Sequence, residues 1–96
     1  MTFVLTPRAR RDLADIWRYS NERWGEGRAD AYVRQIAECC LRLSEGALIG
    51  ADASSIRPGY WKCRVGSHLL FYTVPADHPL QLVRILHQRM DITAHL

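Results

Sequence analysis

The chain reads as an α+β two-layer fold in which an antiparallel helical hairpin packs on a small antiparallel sheet behind an N-terminal strand, in the order βααβββ. Three observations predict it. Two apolar stripes of helical period follow one another with only Gly25-Glu26-Gly27 between them. The later half of the chain alternates like strands around tight turns. A short β-branched run precedes the first helix. With 96 residues, positions 1–96 form a single domain, because so short a chain cannot divide its buried surface between two independent cores.

The N-terminal run Thr2-Phe3-Val4-Leu5 stops at Thr6-Pro7, where Thr6 can cap a helix and Pro7 fits its first turn. From there Ala9, Leu13, Ile16, Trp17 and Trp24 recur at helical spacing, and Arg8, Arg11, Asp12, Asp15, Arg18 and Glu22 take the other side. Beyond the glycines, Ala29, Val33, Ile36, Cys40 and Leu43 repeat the stripe opposite Arg34, Gln35, Glu38 and Arg42. Ser44 to Gly59 is rich in Gly, Ser and Pro, has weak periodicity, and reads as a mobile loop.

Trp61, Cys63 and Val65 then alternate with Lys62 and Arg64, and Gly66-Ser67 is a two-residue turn with glycine first, as a type II′ hairpin requires. His68 to Val74 returns with apolar residues on both faces, the pattern of a central strand covered on at least one side. Leu80 to His87 makes the third strand of the meander around Arg84, and Gln88 to Leu96 is a tail too short for an independent helix. The pattern leaves open where the N-terminal strand joins the sheet.

The composition, 48% hydrophobic and 24% charged, is that of an ordinary folded domain. A formal charge of +3 favours acidic partners but falls far below the Lys/Arg density of a protein whose binding rests on phosphate neutralisation. Sequence-specific nucleic-acid binding is therefore not expected. All the positive side chains except Lys62 are arginines, whose planar fork suits bidentate recognition. Cys39, Cys40 and Cys63 are odd in number and lack metal-ligand spacing, so they read as reduced core residues. The segment after Met1 holds no apolar run long enough for a signal peptide or a membrane span, which points to a cytoplasmic protein.

Cofactor signatures are missing. Gly46-Ala47-Leu48-Ile49-Gly50 lacks the Gly-Lys-Ser/Thr of a phosphate loop, and the histidines have no metal spacing. His78 sits in a turn and reads as exposed; His68 and His87 flank strand ends and read as structural hydrogen-bonding groups. Asp12 with Asp15, and Glu22 with Glu26, are carboxylate pairs, but arginines three or four residues away make surface salt bridges the expected role.

The element order, together with Ile56-Arg57-Pro58-Gly59-Tyr60, Lys62 to His68, Phe71-Tyr72 and above all Arg84-Ile85-Leu86-His87-Gln88-Arg89-Met90-Asp91, closely resembles the ParE branch of the ParE/RelE toxin superfamily. The likeness spans almost the whole chain, with Ala14 to Tyr19 in weaker support. It implies the toxin of a type II toxin–antitoxin (plasmid-stabilisation) module: a poison of DNA gyrase, held in a hetero-oligomer by a ParD-like antitoxin. The related RelE toxins instead cut messenger RNA on the ribosome, and fold alone does not separate the two activities.

Such a ribonuclease needs a base, an acid and cations around the scissile phosphate. Aligned on Phe71-Tyr72, the strand position where RelE toxins carry a catalytic Arg is Leu69, which stabilises no charge. We therefore assign no catalytic residue, with ribosome-dependent cleavage as the alternative and an antitoxin-binding scaffold without toxicity as a third. Arg57, Lys62, Arg64, Arg89 and His95 are the expected target-binding face; a solvated sheet face is the competing role for Lys62 and Arg64. Tyr19, Trp24, Tyr32 and Trp61, aromatics set among arginines, are the expected antitoxin anchors, with core packing as the alternative.

Overall fold

A computed structural model describes residues 2–96. The elements run β1 (Phe3–Leu5), α1 (Pro7–Trp24), α2 (Glu26–Ser44), β2 (Ala51–Asp52), β3 (Trp61–Val65), β4 (His68–Thr73), β5 (Leu80–His87) and α3 (Ile92–His95). The strands form one sheet in the order β1-β5-β4-β3-β2. The helical hairpin covers one face of it, as the patterning predicts.

Thr6 does two jobs at the entry to α1. Its hydroxyl oxygen accepts the Ala9 N–H at 3.1 Å, capping the helix, and its O–H donates to the Val83 carbonyl at 2.8 Å. That carbonyl is free because of a bulge: Phe71 pairs with Arg84 and Tyr72 with Leu82, which leaves Val83 as the extra residue on β5. At the other end, α1 passes into α2 through Gly25 alone, at φ +91°.

The sheet is mixed rather than wholly antiparallel. β1 lies parallel to β5, Phe3 to Leu5 facing Leu80 to Leu82, because the helical hairpin carries the chain across between them. Past Leu82, among the described residues, no strand flanks β5 on that side, and α1 supplies the partner instead. An Asp12 oxygen accepts the Ile85 N–H at 3.0 Å and the Arg84 Nε–H at 2.7 Å; the other oxygen accepts from Nη2 at 3.1 Å. The expected role of Asp12 in a surface pair with arginines of its own helix is thus corrected. Asp15 does pair with Arg18 on the exposed helix face.

The main core lies between the helices and the sheet, with Ala9, Ile16, Ile36, Cys40, Leu43, Leu70, Tyr72, Leu82 and Ile85 buried in it. A second cluster of Phe71, Leu86 and Ala53 lies apart from it, packed by Ile56, Tyr60, Leu69, Ile92 and Leu96. The side chains alternate along β4 and β5, so this cluster occupies the far face of the sheet. Two sequence expectations change as a result. The 44–59 segment is anchored, by buried Ala53, by the two residues of β2 and by a Gly50 N–H donated to the Tyr72 hydroxyl at 3.0 Å. The tail forms the single turn α3, held because Arg84 Nη1–H donates to the His95 carbonyl at 2.9 Å.

The β3–β4 turn has the expected form. Gly66 has φ +56°, and no left-handed φ occurs at Ser67, as a type II′ turn demands. A Cβ on Gly66 would lie 2.7 Å from the ring and hydroxyl of Tyr32. Gly66→Ala is therefore expected to destabilise the fold by about 1–3 kcal/mol. A urea midpoint equal to that of wild type would refute it.

Candidate partner-binding cleft

The end of α1, the start of α2, the β3–β4 turn and the end of β5 enclose a cleft of about 450 Å³. Helical spacing brings Tyr19 and Trp24 from α1 to its mouth, where they stand 57% and 52% exposed. Their rings meet edge to face at 6.3 Å, and the Arg23 guanidinium lies 5.3 Å from the Tyr19 centroid and 5.5 Å from that of Trp24. Arg28, from the first turns of α2, adds a second cation to the lining. Exposed aromatics held by arginine are the composition of interface hot spots.

The floor is polar. The Tyr32 hydroxyl lies 2.6 Å from His68 Nδ1 and 3.0 Å from the Val65 carbonyl, and accepts the Ser67 N–H at 3.2 Å. The antiparallel register sets His68 opposite His87, with ring centroids 5.3 Å apart in a T-shaped arrangement. His87 Nδ1 accepts the Arg89 N–H at 3.1 Å. Burial pushes the Tyr32 phenol up, against a smaller opposing effect of its bond from Ser67, so it remains a neutral hydroxyl.

His68 is held below its ordinary 6.5, first by burial and then by the charge of His87, with Asp12 acting the other way. Its neutral form is the one that fits the fold, so its contribution to stability is complete above 6.5 and is lost as pH falls below that value toward the folded pKa. Acid titration of stability is expected to show this slope, and His68→Asn to remove it. An unchanged slope in the variant would count against the assignment.

A family model described as "ParE toxin of type II toxin-antitoxin system, parDE" matches residues 3–92. The chain belongs to the ParE toxin family. It is 39% identical over 94 residues to Toxin ParE1 of Mycobacterium tuberculosis, covering 98% of this chain and 96% of that one. Toxin ParE1 of Caulobacter vibrioides matches at the same identity and coverage, and Toxin ParE of Escherichia coli at 32%, covering 98% of this chain and 91% of the relative. In fold it is similar to a chain of the solved structure "Chromosomal ParDE TA system from P. aeruginosa", with a TM-score of 0.75 at 21% identity, covering 91% of this chain and 95% of that one.

In this ParE chain the expected antitoxin anchors divide. Tyr19, Trp24 and Tyr32 share the cleft, whereas Trp61 stands half-buried against the main core, paired with Tyr72. Sequence reasoning did not place Arg23, Arg28, His68 and His87 in a binding site. The signal available was the register of β4 and β5, which sets the two histidines side by side once the meander is drawn.

The expected target-binding residues gather on or around the opposite, far face of the sheet. Lys62 and Arg64 lie on that side of β3, across from Phe71 and Leu69. Exposed Arg57 belongs to the segment whose Ile56 and Tyr60 pack there, His95 to the turn whose Ile92 and Leu96 do the same, and exposed Arg89 to the link between β5 and α3. The Arg64 Nε–H donates to the Gly66 carbonyl at 3.0 Å. Leu69 packs into the apolar cluster between them.

Cys39, Cys40 and Cys63 are free thiols at the helix–sheet boundary. Burial and neighbouring thiols push Cys39 and Cys40 each up to about 12, which keeps them protonated and unreactive. Among the described residues, no cluster of three or more His, Cys, Asp and Glu is arranged to hold a metal ion, and no helix is long and apolar enough to cross a membrane.

Proposed function

We propose that this ParE toxin acts by binding rather than by catalysis, poisoning DNA gyrase through the far face of its sheet while a ParD-like antitoxin occupies the cleft. The observation that carries the reading is Leu69. At the position where a ribonuclease of this superfamily places a cation, the side chain is apolar and packs with Phe71 and Leu86. Developing phosphorane charge would meet hydrocarbon there, which raises the barrier to phosphodiester cleavage rather than lowering it.

Arg57, Lys62, Arg64, Arg89 and His95 then serve as a recognition surface for the target. Tyr19, Trp24 and Tyr32 anchor the antitoxin, and Trp61 supports the sheet beneath. The charge of +3 and the arginines at the cleft mouth suit an acidic antitoxin tail that orders on docking. The structural neighbour comes from a ParDE system, which supports a partner of that kind.

Purified, antitoxin-free protein added to gyrase supercoiling reactions and, separately, to translating ribosomes decides between the activities. Inhibited supercoiling with intact transcripts is the expected result. Codon-positioned transcript cleavage with normal supercoiling would overturn it.

A further inference from the structure

The hydrogen bonds at the cleft floor bear on where the protons sit. The Tyr32 hydroxyl has one hydrogen and two acceptors near it, the Val65 carbonyl and His68 Nδ1. The Tyr32–Val65 contact is a hydrogen bond when that hydrogen goes to Val65, and His68 Nδ1 then carries its own, donated to the Tyr32 oxygen; this is the arrangement we adopt. The free nitrogen of neutral His68 is then Nε2, an acceptor. In His87, Nδ1 accepts from Arg89, so the hydrogen sits on Nε2, a donor.

Among the described residues neither Nε2 has a hydrogen-bond partner, and no buried side-chain nitrogen or oxygen lacks one. Both therefore reach solvent, at rings that line the cleft. The neutral pair offers one donor and one acceptor; adding one proton from solvent to His68 Nε2 makes it two donors. The network around Tyr32 survives that protonation unchanged, because Nδ1 already donates.

We propose that the His68–His87 pair is the recognition point for a carboxylate side chain of the antitoxin, and that docking draws one proton from solvent onto His68. This rests on the antitoxin reading of the cleft given above. A carboxylate is acceptor-only, so it matches two donors and is mismatched to a bare Nε2. Arg28 from α2 and Arg23 from α1 add positive charge at the mouth. Asp12 on α1, the acidic group felt at His68, is committed to Arg84, while Tyr19 shares the cleft lining, Tyr32 faces the pair through its hydroxyl and Arg89 meets it through a backbone N–H.

In the free protein burial and the neighbouring His87 hold the basicity of His68 down, which favours its neutral form. Occupation by a carboxylate restores that basicity, so affinity tightens as pH falls, by up to about tenfold per unit where one proton is taken up.

Two arms test this. In the first, nitrogen chemical shifts of 15N-histidine-labelled protein are titrated with N-acetylglutamate or its neutral counterpart N-acetylglutamine. The acid is expected to raise the His68 pKa by about one unit and the amide to leave it alone. In the second, calorimetry with a ParD-like antitoxin, run in buffers of different ionisation enthalpy, is expected to report uptake of about one proton. His68→Asn, whose amide still donates to the Tyr32 oxygen, is expected to abolish the uptake and the pH dependence without loss of fold, and His87→Gln, which keeps a donor at the same reach, to retain both.

Tight antitoxin binding without proton uptake, or an acid that leaves His68 unshifted, overturns the proposal and leaves the docking reading intact. Failure of the antitoxin to bind in any buffer overturns the docking reading instead. The N-acetylglutamate titration still decides the histidine pair.

Discussion

Arg84→Ala is expected to cost about 3–5 kcal/mol of folding free energy, a large fraction of the stability of a domain this size. The Arg84 and Asp12 side chains are 10% and 15% exposed, so the change strands a carboxylate that has left most of its water. It also removes the donor that ties the His95 carbonyl, releasing α3 from the far face. Asp12→Asn is expected to be milder, about 1–3 kcal/mol, because the amide oxygen still accepts from one donor. An apolar pair, Asp12→Leu with Arg84→Met, is expected to lose less than the two single changes summed, since neither charge is left alone. Urea denaturation at neutral pH measures these losses, and a loss below about 1 kcal/mol for Arg84→Ala would contradict the bridging role.

Trp24→Ala is expected to weaken antitoxin binding about thirtyfold or more, roughly 2 kcal/mol or above, with little effect on the fold. The two outcomes separate because the indole is 52% exposed in the free protein, so the fold rests little on it while a partner can still cover it. Tyr19→Ala belongs to the same unit, since the two rings meet each other and share Arg23, and the double variant is expected to fall short of the summed losses. Trp61→Ala supplies the contrast, because that ring packs on the main core and its loss lowers the thermal midpoint first. Calorimetric affinity beside a melting curve reads both quantities, and a Trp24→Ala protein that binds as tightly as wild type would remove the aromatic mouth from the interface.

The parts of this fold written in local pattern were legible. The helices announce themselves by their stripes and by Thr6, and the β3–β4 hairpin by Gly66-Ser67, since each signal depends on neighbours a few residues away. What could not be read depends on pairing across the chain. A three-residue strand carries too little pattern to name its neighbour, so the parallel pairing of β1 with β5 is visible only in three dimensions. Asp12 and Arg84 are 72 residues apart, and on a helical wheel Asp12 is simply polar.

The same separation explains the candidate site. Tyr19, Trp24 and Tyr32 stand out as aromatics set among arginines, while His68 and His87 look ordinary until the register sets them side by side. The apolar character of β4 on both faces predicts cover on at least one side, and the structure covers both. Cover on the far face comes from single anchors such as Ala53, Ile56 and Leu96, in segments whose composition says only turn and tail.

The two border strands of the sheet have three residues and two. Unpaired strand edges invite like chains to stack, and brevity is among the commonest defences against it. Along β5, where a longer open stretch would otherwise remain, the Thr6 hydroxyl and Asp12 carboxylate already occupy the hydrogen-bonding groups. A chain built this way resists polymerising with its own copies whenever it stands alone.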